Sequence, residues 1–551
     1  MNPAIYFHPE AYTTSGPRLM GRNAAGESFL RGFLAHSTNT EFWAQVHRLE
    51  HGQAFATAVH TAGRSEPVKV VDINNLQALS QPGVVYFPGP TIGEHAWQRA
   101  AFGHGEWSVC GITHSTSSSL AMDALAGLVT APVQTWDAVI CTSNAVKENV
   151  TRLLQAQADY LVQRLGIQRL VLPQLPVIPL GIHAQDFVFT DDQRSSARFA
   201  LGADVNTLVV LFMGRLSFHA KAHPLAMYQA LESATRGLPA GSRVLLVECG
   251  WHANETIVDA YAEAARSACP SVQVVSLDGR KADDRMTAWA SADVFCSLSD
   301  SIQESFGIVP IEAMAAGIPV VVADWDGYKE SVRDGVDGFR IPTLMPESGL
   351  GGDLALHHSL EIDNYDMYCG HTGAFVAVDV EAAAQAFGRL FASPELRRRM
   401  GAAGRLRARE VYDWAAIIPQ YEALWAQLGE IRKEQAPALQ PLPQPWPARM
   451  DPFLAFSSYP TRVLTQQTVL GLVDADAQTA ARRVADYRAL AMVNFVEAVL
   501  PSDAEVAVVL NAAADGPKAA SELIKTIPTE RQAFLFRALV WLVKLGVLKV
   551  G

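Results

Sequence analysis

The sequence predicts an α/β protein in which two doubly wound domains follow one another and a mostly helical region comes last. Short runs rich in β-branched residues alternate with helix-like segments up to about residue 400, a pattern typical of parallel βαβ units. A Pro-rich connector, VLPQLPVIPLGI, divides this alternation into two halves. After a second Pro-rich stretch, the strand-like runs give way to Ala-, Leu- and Val-rich segments.

These boundaries predict five parts: a first doubly wound domain over 1–190, a second over 191–400, closing helices over 401–435, a linker over 436–452 and an accessory domain over 453–551. Four buried strands are predicted in the first domain, at 4–7, 84–87, 109–112 and 138–141. Five are predicted in the second, at 207–213, 243–247, 272–276, 292–297 and 319–323. Helices are predicted between the strands, including 25–33 and 145–157. Residues 342–373 are predicted to form a long irregular loop.

The end of the accessory domain reads as helix, turn, helix, glycine and short strand, which resembles a winged helix. Its ten basic and nine acidic residues are too balanced for a DNA-reading surface. A docking, dimerisation or acceptor-positioning role is therefore favoured over nucleic-acid binding.

Composition excludes several classes of protein. The 551 residues are 49% hydrophobic and 18% charged, which excludes extensive disorder. A net charge of -12 argues against nucleic-acid or anionic membrane partners. The six cysteines form no C-x-x-C pair, so neither a zinc site nor a dithiol is indicated. With no signal peptide or membrane span in the pattern, we expect a cytoplasmic protein, with peripheral membrane association as an alternative.

The segment ESFGIVPIEAMAAGIPVVVA, at 304–323, predicts an anion site. A strand ends before it, Gly307 permits close backbone approach, and a helix begins near Ile308. Gly317 ends the helix, and the next strand follows at once. The free amides and the dipole of a helix that begins at a strand end suit a diphosphate.

Two acids lie on either side of this anion site. Glu304 precedes the helix, and Glu312 lies about one turn inside it, roughly 6 Å along the axis. They could bind hydroxyls on the two sides of a diphosphate, as the sugar and ribose of a nucleotide sugar require. From the spacing alone, Glu304 could simply be a charge near a helix terminus, and Glu312 could lie on a solvated face of the helix. Against the second alternative, Glu312 has apolar neighbours in sequence.

Two cations follow the strand predicted at 207–213. Gly214 and Arg215 come at its carboxyl end, and Lys221 lies in the loop that follows. Cations at this position suit a departing diphosphate, because preorganised positive charge stabilises a leaving group. A pair of surface cations is the alternative.

Taken together, these motifs resemble the retaining nucleotide-sugar glycosyltransferases of family 4, which have the GT-B fold. The resemblance rests on E-x7-E at Glu304 and Glu312, on GRLSFHAK at 214–221, on VIPLGIHAQDF at 177–187 and on DAVICTSNAV at 137–146. It covers roughly 1–430 and excludes the accessory domain. It implies two Rossmann-like domains that face each other across a cleft, with the acceptor in the first and the donor in the second.

The resemblance also implies roles for individual residues. Arg215 and Lys221 would bind and stabilise the donor diphosphate, Glu304 would contact the transferred sugar, and Glu312 would bind the ribose hydroxyls. The remaining implied donor contacts are Gly214, Ser305 and the backbone amides of Phe306, Gly307 and Ile308.

Two residues of the first domain are also matched by the resemblance. His114 would orient the sugar or the acceptor, with a structural histidine at a strand end as the alternative. Gly16 would approach the phosphates, but many family members carry a glycine pair where this chain has Gly16 followed by Pro17. An ordinary turn glycine is therefore the alternative for Gly16.

By the same analogy, transfer would proceed with retention through a front-face substitution, without an obligatory metal or other cofactor. The D-x-D sequences Asp324-Trp-Asp326 and Asp474-Ala-Asp476 are read as incidental. A non-catalytic nucleotide-sugar-binding scaffold, an epimerase and a phosphorylase remain alternatives.

The donor is expected to be a UDP- or GDP-sugar, with adenine as a further base that the sequence does not exclude. Gly250, Asp278 and Arg280 are the expected base contacts. The acceptor is open among a glycan, a lipid carrier, a small molecule and a protein. No nucleic-acid partner is expected, and the accessory domain could mediate a homo-oligomer.

Overall fold

The structure is a computed structural model that describes residues 2–13 and 21–551, with the backbone alone for 21–23. The chain divides into two compact units, Met1–Trp446 and Pro447–Gly551. In the described residues, no helix is both long and apolar enough to cross a bilayer.

The first sheet of the larger unit has six parallel strands in the order β3-β2-β1-β4-β5-β6. Their bounds are β1 Ala4–Tyr6, β2 Phe42–Gln45, β3 Val68–Val71, β4 Val84–Tyr86, β5 Ser108–Thr113 and β6 Ala138–Cys141. The helices around this sheet are α1 Gly21–His36, α2 Leu49–Thr61, α3 Ile92–Ala100, α4 Ser119–Ala126 and α5 Asn144–Leu165. Because the order reverses between β1 and β4, a ligand crevice is expected at the carboxyl ends of these two strands.

The second sheet repeats this topology, in the order β12-β11-β10-β7-β8-β9. Its strands are β7 Thr207–Met213, β8 Arg243–Gly250, β9 Gln273–Asp278, β10 Val294–Ser297, β11 Val320–Ala323 and β12 Gly338–Ile341. Here the order reverses between β7 and β10, so the strands that precede Gly214 and the 304–323 segment lie side by side. The prediction of two doubly wound domains is confirmed.

Helices cover the second sheet and continue beyond it. They are α6 Asp191–Ala200, α7 Leu225–Thr235, α8 Glu255–Ala268, α9 Ala282–Ser291, α10 Ile308–Ala315, α11 Tyr328–Ser331, α12 Gly352–Ser359, α13 Tyr365–Gly373, α14 Val380–Ala392, α15 Pro394–Arg407 and α16 Trp414–Gln435. The last of these, α16, returns to the first sheet, where its buried Trp414, Tyr421 and Trp425 join the core around Phe29 and Tyr86. Burial of these aromatic side chains holds the end of the larger unit against its beginning.

The segment 342–373 was predicted as an irregular loop, and that prediction is wrong. It contains β13 Thr343–Leu344, which pairs with β14 Ala377–Val378, and the helices α12 and α13. Neither helix has the apolar stripe by which a helix is recognised in a sequence: α12 buries no residue and α13 buries only Cys369.

Three strands of the two large sheets were missed by the sequence analysis. The edge strand β3 exposes Lys69 and Val70, and β2 and β12 each have only four residues. Such short or half-polar segments acquire strand structure from their neighbours in the sheet rather than from their own pattern.

The smaller unit is mostly helical, as predicted, and it carries a three-stranded antiparallel sheet in the order β16-β15-β17. Its strands are β15 Val469–Leu472, β16 Lys518–Ala519 and β17 Leu548–Val550. Its helices are α17 Pro452–Ala455, α18 Ala477–Arg488, α19 Ala491–Asn494, α20 Asp503–Ala514, α21 Ala520–Leu523 and α22 Thr529–Lys544. The predicted helix, turn, helix, glycine and strand at its end correspond to α21, α22, Gly546 and β17.

A buried acid in the second sheet makes stability depend on pH. Glu248 of β8 is 2% exposed and accepts a 2.5 Å hydrogen bond from the Tyr228 hydroxyl. Burial raises the pKa of the Glu248 carboxyl to about 7, whereas the hydrogen bond from Tyr228 acts to lower it. The folded state therefore holds a proton that the unfolded chain releases at lower pH, and the free energy of unfolding falls as the pH rises through about 7.

We predict that Glu248→Gln is more stable than the wild type at pH 8, by roughly 1–3 kcal/mol. The amide cannot ionise and its oxygen still accepts from Tyr228. The gain should shrink towards pH 5, where Glu248 is protonated in the folded protein. Urea unfolding at both pH values measures it, with the exposed Glu263→Gln as a matched control. Equal stability of Glu248→Gln and wild type at pH 8 would contradict the prediction.

Candidate active site

The amino end of α10 is built by a glycine in the left-handed region. Gly307 has φ 76° and ψ 74° and directly precedes the helix. A side-chain carbon at Gly307 would lie 1.7 Å from the ring of Tyr328, which is 1% exposed. The Tyr328 hydroxyl is 2.8 Å from the Ser297 hydroxyl, at the end of β10. No side chain caps α10, so its first amides face the loop before it.

Lys221 and Glu304 meet beside this helix end. The Lys221 Nζ donates to Glu304 Oε2 over 2.6 Å, and the Tyr328 hydroxyl donates to the same oxygen over 3.3 Å. The Glu304 side chain is 9% exposed and that of Lys221 25%. The pair thus joins the loop after β7 to the loop after β10.

Arg215 lies in the same loop as Lys221. Its Nη2 donates to the Ala220 carbonyl over 2.9 Å and to Gln303 Oε1 over 3.2 Å, and its Nη1 is 3.8 Å from Asp366 Oδ1. Two of its partners are therefore Gln303, next to Glu304, and an acid of α13. The Arg215 side chain is 27% exposed.

A cluster of glycines lets the loops after β7, β8 and β9 approach one another. Gly214 has φ 151°, and a side-chain carbon at Gly250 would lie 1.9 Å from the Gly214 carbonyl oxygen. The amide of Gly279 donates to the Gly250 carbonyl over 2.8 Å. Beside them, Arg280 pairs with Asp278 over 2.8 Å at the end of β9.

Glu312 lies farther along α10, away from the Lys221–Glu304 pair. Burial raises the pKa of its carboxyl to about 7, and the positive charge of Arg285 in α9 acts in the opposite direction. The carboxyl is therefore held part-way between its charged and neutral forms near pH 7. A group that donates hydrogen bonds to the carboxylate would restore the charged form.

The first sheet faces the loop before α10. Ser305 Oγ donates to the His114 carbonyl over 2.8 Å, and the Ser305 carbonyl accepts from Ser143 Oγ over 3.0 Å and from Thr142 Oγ1 over 3.4 Å. His114 follows β5, and Thr142 and Ser143 follow β6. The carboxyl edges of both sheets therefore converge on Ser305.

The structure brings together Arg215, Lys221, Glu304 and the Phe306–Gly307–Ile308 backbone, with Ser305 and the His114 carbonyl alongside. Glu312 lies on the same helix but contacts none of these side chains through a described hydrogen bond. The predicted Gly214 directly precedes Arg215 in the same loop, and the predicted Gly16 lies outside the described residues.

Several residues of the site were missed by the sequence analysis. Ser143 stands in the quoted DAVICTSNAV segment and also caps α5 through Val146 N, so a strand-to-helix cap could have identified it. Tyr328 follows β11, and no cap or motif in the sequence marks it as a site residue. Tyr365 and Asp366 belong to α13, which the sequence presents as a loop. The Tyr365 hydroxyl lies 3.2 Å from the Ser117 hydroxyl of the first domain.

The two acids of the first D-x-D sequence contact different partners. Asp324 Oδ1 is 3.4 Å from Arg340 Nε. Asp326 adopts a left-handed backbone, with φ 42°, and accepts from Ser143 Oγ over 3.1 Å. Burial raises the pKa of Asp326 to about 7, and the nearby charge of Glu304 adds to the increase.

Residues 193–348 match the family model described as "Glycosyl transferases group 1". This span contains β7 to β12, the loop that carries Arg215 and Lys221, and α10. The match therefore falls on the second domain, where it includes Arg215, Lys221 and Glu304.

Curated relatives match parts of the chain. The D-inositol 3-phosphate glycosyltransferase of Rhodococcus erythropolis is 35% identical over 160 residues, which are 29% of this chain and 35% of the relative. The protein of the same name from Rhodococcus jostii is 32% identical over 239 residues, 41% of this chain and 50% of the relative. The matches thus span only about a third to a half of these relatives.

Among solved structures, Anabaena Alr3699/HepE in complex with UDP is similar in fold. It aligns with a TM-score of 0.50 at 17% identity and covers 78% of this chain and 100% of that one. At 17% identity, this similarity supports the fold alone. The two-domain architecture is the GT-B fold that the sequence resemblance implied.

Proposed function

We propose that this protein is a glycosyltransferase that moves a sugar from a nucleoside diphosphate to an acceptor. The observation that carries the proposal is the convergence of Lys221, Arg215 and Glu304 on the uncapped amino end of α10. Two cations and a helix terminus suit a diphosphate, and the adjacent carboxylate suits sugar hydroxyls. The group 1 glycosyl transferase match over the same residues supports it.

The ion pairs of the free protein indicate how the donor would bind. Lys221 is now neutralised by Glu304, and Arg215 lies near Asp366. A diphosphate at the end of α10 would take over both cations. Glu304 would then accept hydrogen bonds from the sugar, and Glu312, deeper in the helix, from the ribose. The charged form of Glu312 is favoured once hydroxyls donate to it.

We propose that the transfer retains the anomeric configuration and proceeds on one face of the sugar. The bond from the anomeric carbon to the phosphate oxygen breaks as the bond to the acceptor oxygen forms, and the departing phosphate takes the acceptor proton. Arg215, Lys221 and the α10 amides would stabilise the negative charge that develops on that phosphate. This arrangement assigns no obligatory role to a metal.

The base of the donor is proposed to lie against the glycine cluster, beside Asp278 and Arg280. UDP is the first candidate because Alr3699/HepE, which shares the fold, was solved with UDP; GDP is the second. The first domain would bind the acceptor, with His114 near the reacting sugar. We propose docking, oligomerisation or acceptor positioning for the smaller unit. A cytoplasmic location would suit the six cysteines, which are all buried and form no disulfide.

A thermal-shift panel of UDP, GDP, ADP and their glucose conjugates tests the proposal. A nucleotide that binds the native state at a hundred times its Kd adds about 2.7 kcal/mol of stability, an increase of several degrees in Tm. One base should be preferred, and the sugar conjugate should be turned over slowly to free sugar or product. Binding without turnover would favour a non-catalytic scaffold, and no shift with any nucleotide would contradict the proposal.

We predict that Asp366→Asn tightens nucleoside diphosphate binding about two- to fivefold, because it removes a carboxylate that competes for Arg215. The effect should decrease as salt is raised, since the pair is partly exposed. Titration calorimetry at low and high ionic strength measures it. Asp353→Asn is the matched control, because Asp353 is exposed on α12, in the same 342–373 segment as Asp366. An unchanged or weaker affinity in Asp366→Asn would contradict the prediction.

A further inference from the structure

Tyr328 reaches the candidate active site from outside the two loops that carry its charges. It is the first residue of α11, after β11, and it is 1% exposed. Its hydroxyl lies 2.8 Å from the Ser297 hydroxyl and donates to Glu304 Oε2 over 3.3 Å. A side chain of the buried core therefore ends in a polar group that contacts the acid beside the amino end of α10.

Close packing fixes the Tyr328 ring relative to that helix end. A side-chain carbon at Gly307 would lie 1.7 Å from the ring, and one at Gly327 would lie 2.5 Å from the Phe306 carbonyl oxygen. The loop after β11 is therefore packed directly against the residues that lead into α10. In an interior packed this closely, the Tyr328 hydroxyl can move little relative to Glu304.

The Tyr328 hydroxyl is a permanent hydrogen-bond donor. Burial raises the pKa of this hydroxyl well above its usual value, and the negative charge of Glu304 adds to the increase, so the hydroxyl keeps its proton at neutral pH. Because the single proton is donated to Glu304, the Ser297 hydroxyl donates to the Tyr328 oxygen. Ser297 thus directs the Tyr328 proton towards the carboxylate.

The two described donors to Glu304 would respond differently to a bound diphosphate. Lys221 Nζ, 2.6 Å from Oε2, is a cation that a diphosphate at the end of α10 would attract. The Tyr328 hydroxyl is neutral and anchored in the core, so it would stay. Within the described part of the chain, no hydrogen bond reaches the second carboxylate oxygen, Oε1. Glu304 would therefore keep one fixed donor and have one oxygen free for a ligand hydroxyl.

We propose that Tyr328 is a positioning residue that holds Glu304 in place for the donor sugar once the diphosphate has drawn Lys221 away. Tyr328 fixes Oε2, and Oε1 accepts from a sugar hydroxyl. The inference rests on the proposed glycosyl transfer and adds to it that the sugar, rather than the nucleotide, is the part of the donor that depends on Tyr328.

The test compares UDP with UDP-glucose in Tyr328→Phe, which removes the hydroxyl but leaves the ring and the amino end of α10 in place. Titration calorimetry on the full chain measures both affinities. We expect the UDP affinity to change by no more than about twofold, and the ratio of UDP-glucose to UDP affinity to fall about three- to tenfold, the size of one hydrogen bond. Turnover of UDP-glucose should fall roughly tenfold. If the thermal-shift panel selects another base, its diphosphate and glucose conjugate take their place.

Two further variants separate positioning from a loss of stability. Tyr412→Phe is the matched control, because Tyr412 is also buried and its hydroxyl also donates over 3.3 Å, to the Glu330 carbonyl. It should leave the affinity ratio unchanged. Ser297→Ala removes the group that directs the Tyr328 proton and should lower the ratio by about twofold. Should Tyr328→Phe fail to fold, an unchanged ratio in Ser297→Ala would overturn the proposal.

A stability comparison tests the contact with Glu304 without any ligand. Lys221→Ala reproduces the loss of the cation and makes Tyr328 the remaining described donor to Glu304. Tyr328→Phe should therefore lower Tm about twice as much in Lys221→Ala as in the wild type. An equal decrease in both backgrounds would overturn the proposal, as would an unchanged affinity ratio in Tyr328→Phe. Failure of the proposed function is seen separately, as an absence of nucleotide binding by the wild type.

Discussion

Replacing Lys221 by alanine is expected to lower the rate of glycosyl transfer by a factor of about 100–1,000. Removal of one preorganised charge that stabilises a leaving group costs this much in other enzymes. The substitution also leaves Glu304, which is 9% exposed, without the cation 2.6 Å away, and its negative charge would then repel the diphosphate. We therefore expect UDP to bind about tenfold more weakly.

Steady-state kinetics with the nucleotide sugar selected by thermal shift, together with UDP titration, measure both effects. Lys433→Ala is the matched control, because Lys433 also pairs with a glutamate, Glu430, at 2.7 Å but is exposed, near the end of α16. Lys221→Arg should recover only part of the activity, since a planar guanidinium does not replace a compact ammonium. Transfer by Lys221→Ala at the wild-type rate would remove Lys221 from the proposed mechanism.

Replacing Gly307 by alanine is expected to disrupt the amino end of α10. The added carbon would lie 1.7 Å from the Tyr328 ring, and the residue would have to keep φ 76°. Tyr328 is buried and cannot move aside freely. We expect the free energy of unfolding to fall by roughly 2–4 kcal/mol, from overpacking together with left-handed strain.

Because Tyr328 also donates to Glu304, displacement of its ring should weaken UDP binding at least tenfold in the molecules that remain folded. Denaturant unfolding and calorimetry measure the two effects. Gly202→Ala isolates the backbone cost, since Gly202 has a similar φ of 64° but open space around it. A loss of stability in Gly307→Ala no greater than in Gly202→Ala would show that the clash with Tyr328 is relieved without cost.

Local pattern was enough to predict the elements on which the donor site is built. Three of these features can be recognised in the sequence because each depends on residues close by in the chain. They are the strand that ends at Met213, the glycine before α10 and the end of that helix near Gly317. Helix ends and buried strands are of this kind. Arg215, Lys221 and Glu304 were singled out because they stand at strand ends.

Other predictions failed where local signals were weak. The helices α12 and α13 bury almost nothing, so their sequence has no apolar period, and Asp366 was missed with them. The strands β2 and β3 take their structure from pairing with β1 and with each other. His8 and His51 carry no shared motif, and their rings come within 4.8 Å only because β1 and β2 are adjacent in the sheet.

The sequence alone therefore determined the class of fold, the order of its domains and which helix begins behind a glycine at a strand end. Only the tertiary structure decided which charges meet: Glu304 with Lys221, Arg215 with an acid from α13, and Ser305 with the edge of the first sheet. The reason is physical. Backbone preferences act over a few residues, whereas a contact between side chains far apart in the chain depends on how whole sheets and helices pack.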